Sequence, residues 1–138
     1  FTLSNRLQII GDRMDPQLSV KQWLFLAGVL RCADGAPTLS EVAAQIGSSR
    51  QNVKKTALIL ERQGFVSLER DAADARLLRI RLTGACFAHL RRREAMERRF
   101  IEELFSGIGE REIASLCNTL RQLERNIERI GCDNGRES

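Results

Sequence analysis

Apolar residues recur at helical spacing almost from the first residue of this chain. Leu3, Leu7, Ile10 and Met14 fall at steps of three and four, and the stripe predicts a first helix that Asp15-Pro16 ends. Val20 to Arg31 is apolar almost all round its helical wheel. Opened by the cap residue Ser19, it predicts a central buried helix with Trp23, the only tryptophan, as a core anchor. Gly35 and Pro37 mark Ala33 to Pro37 as a loop. Thr38 or Ser40 caps a third helix whose Leu39, Val42, Ala43 and Ile46 face inward, and Gly47 sits where helices commonly end in a left-handed residue. Ser48 or Ser49 opens a fourth helix, with Val53, Ala57 and Leu60 at i, i+4 and i+7 as its buried stripe. Gln63-Gly64 stops it. Phe65 and Val66 then start a two-stranded ribbon that continues over Ser67 to Thr83 and has a charged tip.

Thr83 caps a long helix from Gly84 to Phe105, with Phe87, Leu90, Ile101 and Leu104 as an apolar line. The arginines of its charged middle, Arg91, Arg92 and Arg93, are read as a solvated face, with contact to phosphate as the alternative. Ser106 to Gly109 breaks this helix. A last helix follows from Glu110 to Ile130, and Gly131 to Ser138 is a polar, frayed tail. In the last helix Ile113, Leu116, Leu120, Leu123, Ile127 and Ile130 repeat as a coiled-coil seam does. A seam on a terminal helix is poorly used inside one small subunit. With the first helix it is therefore expected to form a dimer interface, intramolecular packing being the alternative. The predicted class is mainly α (α+β): a winged helix-turn-helix with a two-stranded β wing and N- and C-terminal dimerisation helices. The expected divisions are 1–18, 19–83 and 84–138.

Charge sharpens this picture. The chain has 138 residues, a net charge of +4 and a pI near 9.2. Between Arg50 and Arg81 lie eight basic and four acidic residues, so this segment carries a net charge equal to that of the whole chain. That favours a polyanionic partner. Arg50, Gln51, Asn52, Lys54 and Lys55 crowd the first two turns of the fourth helix on faces other than its buried stripe. In a helix-turn-helix the N-terminal residues of the second helix meet base edges in the major groove. Arg pairs bidentately with guanine and Asn or Gln with adenine, while Ser48, Ser49 and the lysines can hold phosphate. A merely solvated helix face is the plain alternative for this polar run. The conjunction of glycine turn, polar face and basic hairpin favours double-stranded DNA. A winged-helix protein–protein adaptor would carry apolar residues there. Leu58 and Ile59 lean that way, and the five polar residues lean harder the other way.

The segment resembles the MarR family of bacterial transcriptional regulators. The matching residues are Leu39-Ser40-Glu41-Val42-Ala43, Ser49 to Val53, Leu60-Glu61, Gly64-Phe65-Val66, Asp71, Asp74-Ala75-Arg76 and Leu82-Thr83, and the most specific piece is the wing pattern Asp-x-Arg followed by Leu-Thr. The resemblance implies a homodimer with each fourth helix in a major groove. It implies that Arg76 enters the adjacent minor groove and that Asp74 helps to fix the wing. It also implies control by a small aromatic or phenolic effector, or by cysteine oxidation. Arg13, Trp23 and Cys86 are the residues named for lining an effector cleft. A pseudo-palindromic operator and repression complete the expectation.

Other classes find little support. Cys32, Cys86, Cys117 and Cys132 include no C-x-x-C pair and the single histidine, His89, has no matching partners, so no metal is expected. There is no Ser/His/Asp set, no paired carboxylate in an apolar setting and no glycine-rich phosphate loop, so neither an enzyme nor a cofactor is expected. No apolar run reaches the length of a membrane span. The chain starts at Phe1 without a signal-peptide pattern, and a reducing cytoplasm is the expected compartment. Cys32, Cys86 and Cys117 lie among apolar neighbours and are expected to be inert and buried, whereas Cys132 lies in the tail.

Overall fold

Most helix starts are fixed by a side chain that takes up a backbone N–H; the first helix, which follows Phe1, has no such cap. In the computed structural model, which describes residues 1–32 and 35–134, the order is α1 (Thr2–Met14), α2 (Val20–Arg31), α3 (Leu39–Gln45), α4 (Arg50–Arg62), β1 (Val66–Arg70), β2 (Leu78–Leu82), α5 (Gly84–Leu104) and α6 (Glu110–Asn134). Ser19 and Thr38 make reciprocal capping boxes with Gln22 and Glu41. Ser49 caps α4 through Asn52 N, and the Thr83 hydroxyl accepts Cys86 N at 3.1 Å while donating to Gly64 O at 2.6 Å. Thr83 thus ties the end of the wing to the turn after α4. That turn and the α3–α4 turn require glycine, because Gly47 and Gly64 have φ of 62° and 78°.

The chain divides into two units, Phe1–Arg93 and Glu94–Ser138. The first holds a core of Leu18, Phe25, Leu26, Val29, Leu39, Val42, Val53, Ala57, Leu60, Val66, Ile80 and Cys86, drawn from α2, α3, α4, the wing and the start of α5. β1 and β2 pair antiparallel from Val66↔Leu82 to Arg70↔Leu78. The hairpin is anchored to the helix-turn-helix where Ile80 N donates to Pro37 O at 2.9 Å, beside a Thr38↔Arg79 bridge. Gly28 lets α2 and α3 approach: a Cβ there would sit 2.5 Å from Ile46 Cγ2. In the second unit, α6 presents Leu116, Leu120, Leu123, Ile127 and Ile130 as an exposed apolar row.

Several expectations need correction. α2 is buried on one side only, through Phe25, Leu26, Gly28 and Val29, because only that arc faces α3 and α4. Trp23 is 37% exposed and is not a core anchor. The α1 stripe is largely solvent-facing in the single chain, with Leu3 and Ile10 exposed. α6 runs to Asn134, past the expected end; the rest of the predicted tail and the Ala33 end of the predicted loop lie outside the described residues.

The charged middle of α5 is not uniformly wet. Arg93 is buried, donating from Nη1 to Asp15 Oδ2 at 2.9 Å, and His89 Nε2 donates to the same oxygen at 2.7 Å. Asp15 closes α1 and also accepts Gln17 N, so this cluster pins the α1–α2 corner to α5. Burial works to raise the Asp15 carboxyl pKa. The bonds from His89 and Gln17 and the charge of Arg93 outweigh burial and hold it below its ordinary value. Of the cysteines, Cys86 is fully buried, which pushes its thiol pKa up, Cys32 is half-buried and Cys117 is exposed, contrary to expectation. The Cys132 side chain lies outside the described residues.

Candidate nucleic-acid interface

The buried stripe of α4 dictates what the helix can show. Val53, Ala57 and Leu60 sit on the core, so Gln51, Lys55 and Arg62 point away from it, with Lys54 on one flank and Asn52 on the other. Arg50, Gln51, Asn52, Lys54 and Lys55 are all exposed. Their exposure follows from the spacing of the buried stripe. Ser49 is exposed but already spends its hydroxyl on the cap, and half-buried Ser48 donates its N–H to Ala43 O at 2.9 Å. Leu58 and Ile59 are 38% and 40% exposed, so neither is needed to hold α4 on the core.

The wing tip is built by acidic side chains acting on backbone. Asp71 Oδ1 accepts Ala73 N and Asp74 N, both at 2.9 Å, and its other oxygen takes the Arg79 guanidinium. Arg79 also donates to Ala36 O at 3.0 Å, joining the wing to the approach to α3. Asp74 Oδ1 accepts Arg76 N at 2.9 Å, and Arg70 donates to Ala75 O. The bond from Arg79, then those from Asp74 and Ala73, hold the Asp71 carboxyl down at about 2. The tip is thus a closed turn that leaves the Arg76 side chain exposed. The larger organiser is Asp71, which the sequence pattern includes but to which it assigns no role.

The basic count of this segment overstates its free charge. Arg79 is bound to Asp71, Arg81 pairs with Glu69 at 3.0 Å, and Arg70 is used within the tip. Arg50, Lys54, Lys55, Arg62 and Arg76 are exposed and make no ion pair among the described residues. Arg62 lies on the last turn of α4; the other four, with Gln51 and Asn52, are the candidates for contact with a polyanion. Of the residues named for an effector cleft, Arg13 and Trp23 are exposed, whereas Cys86 is 0% exposed within the core and lines no open surface. Residues missed by the sequence reading are His89 and Arg93. Their signal was Cys86, His89 and Arg93 at i, i+3 and i+7, one face of α5.

A tri-helical unit with a glycine-turned helix pair and a following antiparallel hairpin defines a winged helix-turn-helix. No protein-family model matches the sequence. Among solved structures, the S. aureus MepR–DNA complex aligns with a TM-score of 0.81 at 18% identity, over 91% of this chain and 93% of that one. A MarR transcriptional regulator from Methanosarcina mazei Go1 gives 0.78 at 24% identity, over 94% and 93%. Bordetella bronchiseptica BpsR, in a structure concerning regulation of its DNA binding by 6-hydroxynicotinic acid, gives 0.69 at 20% identity, over 80% and 82%. The chain has the winged-helix fold of these MarR-type regulators.

Proposed function

We propose that the chain is a MarR-family, sequence-specific DNA-binding transcriptional regulator that acts as a homodimer, without catalytic activity. The observation that carries this reading is the division of α4: Val53, Ala57 and Leu60 bury one side, and Arg50, Gln51, Asn52, Lys54 and Lys55 are held exposed on the others beside a wing whose Arg76 is free. Those side-chain types match base edges and phosphates at helix-turn-helix positions. A two-fold mate would set two α4 helices about 34 Å apart, on a pseudo-palindromic operator. The exposed apolar row of α6, with that of α1, supports the dimer, since about half of each residue from Leu116 to Leu123 in that row lies open in the single chain. Repression, and release by a small aromatic or phenolic effector, complete the reading; the 6-hydroxynicotinic acid control named for BpsR supports the effector part.

The test is selection of bound duplexes from a random pool, followed by electrophoretic shifts at several salt concentrations. A recovered pseudo-palindrome and a steep fall in affinity with salt are expected. Failure to enrich any motif, with no salt slope on any duplex, would falsify the reading. The adaptor alternative finds its support only in Leu58 and Ile59, and the same selection decides against or for it.

A further inference from the structure

One apolar side chain stands among the polar groups on the outer side of α4. Opposite the buried stripe of Val53, Ala57 and Leu60, the outward line of the helix holds Gln51, Lys55 and Arg62 at i, i+4 and i+11, and Leu58 falls in that line at i+7. Its neighbours one turn away are Lys54 and Lys55 before it and Arg62 after it, all exposed. Glu61 also lies one turn on, and its Oε1 accepts Leu68 N of β1 at 3.1 Å, so this flank of the helix borders the wing. Leu58 is 38% exposed, and among the described residues it belongs neither to the core nor to the side chains packed against it. Ile59 differs. It shares a cavity of about 570 Å³ between α2 and α4 with Leu24, Phe25 and Val53, so packing within the chain accounts for its apolar side chain.

We propose that Leu58 is a base-reading residue, which in the complex covers the C5-methyl group of a thymine in the major groove. This role rests on the DNA-binding reading above and goes beyond it, because every other residue offered there to the bases is polar. The surroundings of Leu58 choose its occupant. A protein surface laid over it would strip water from Lys54, Lys55 and Arg62, and cations buried without partners are costly. A duplex supplies phosphates to those cations, and the thymine methyl is the apolar group that base edges present in the groove between them. The side chain discriminates in two ways. It gains contact with the methyl group, and it leaves the amine of a cytosine in the same place without an acceptor. Helix geometry also places the base. Leu58 is seven residues beyond Gln51, about 10 Å along the axis, or roughly three base steps. The thymine should therefore lie roughly three base pairs from the pair that Gln51 meets, once in each half-site.

The test begins with selection of duplexes from a random pool by the full chain and by its Leu58→Ala variant. The wild-type motif should carry a thymine in each half-site that the variant no longer requires. Anisotropy titrations on the wild-type motif then form a double-mutant cycle between protein and base. Deoxyuridine in place of that thymine removes one methyl group and no hydrogen bond. It should weaken wild-type binding roughly fourfold, the value of one buried methyl group, and leave Leu58→Ala almost unaffected. Ile59→Ala should keep the full deoxyuridine effect. The deoxyuridine scan of every thymine in the motif uses wild type alone, so it decides the question even if a variant is unstable. Thymines that all tolerate deoxyuridine overturn the assignment. So does a methyl effect that persists in Leu58→Ala or disappears in Ile59→Ala. Each of these results leaves the DNA-binding reading standing, whereas a pool from which wild type enriches no motif overturns both.

Discussion

In the proposed DNA complex Arg76 makes the contact, and Asp71 supports the wing tip that carries it. Arg76→Ala removes an exposed cation whose backbone is held by Asp74, so the fold should be untouched and DNA affinity should drop roughly tenfold. Anisotropy titration beside a thermal melt checks both halves. Asp71→Asn is expected to weaken binding by loosening the turn that carries Arg76, and the double variant should lose less than the product of the two single losses. Its pH behaviour follows from the depressed pKa. The unfolded carboxyl titrates near about 4 and the folded one at about 2, so the contribution is complete above pH 4 and vanishes as pH falls through that window. Asp15 has the same sign. Its pKa is lowered in the fold, so its support of the α1–α2 corner is present above the ordinary carboxylate range and fails on acidification. Asp15→Ala leaves His89 and Arg93 facing an emptied position and should cost about 3 kcal/mol in urea unfolding. A loss under about 1 kcal/mol would show that the cluster is not a structural clasp.

At the scale of elements, caps and glycines were legible and the sidedness of helices was only partly so. Ser19, Thr38, Ser49, Gly47 and Gly64 act locally, through hydrogen bonds or φ values within a few residues, so a linear reading finds them or narrows the choice to a near neighbour, as with Thr38 or Ser40 and Ser48 or Ser49. α2 was harder. Its sequence is apolar on most faces, and burial was assigned by pattern; its packing partners, α1, α3, α4 and β2, leave buried only the arc of Phe25, Leu26, Gly28 and Val29. Gly28 belongs to that arc. Gly28→Ala should cost about 1–3 kcal/mol because a methyl group would press on Ile46, a branched side chain with little room to turn. Chemical denaturation measures it, and a neutral result would mean that the α2–α3 crossing is looser than its atoms suggest. The α5 stripe of Cys86, His89 and Arg93 was hidden because two of its members are polar, so a search for apolar periodicity passes over it.

At the scale of the molecule, the apolar rows on α1 and α6 are exposed in the single chain, and the proposed dimer would cover them. Leu120→Glu, in the middle of the α6 row and half exposed, should leave the winged unit folded but yield a monomer in analytical ultracentrifugation. Affinity for a two-site operator should then fall much further than affinity for a half-site, because the two winged units would no longer be linked. A variant that stays dimeric would place the interface elsewhere.

The order of elements, their caps and turns, the buried stripe of α4 and the hairpin were all determined by sequence alone, since each depends on spacing of a few residues. Tertiary structure decided which of the cations are free. Arg79, Arg81 and Arg93 are basic in the sequence and engaged in the fold, because their acceptors come from Asp71, Glu69 and Asp15, eight or more positions away. It also decided that Leu24 and Ile59, apolar residues on separate helices, line one cavity. Convergence of side chains distant along the chain is a property of packing, and no periodicity within one helix encodes it.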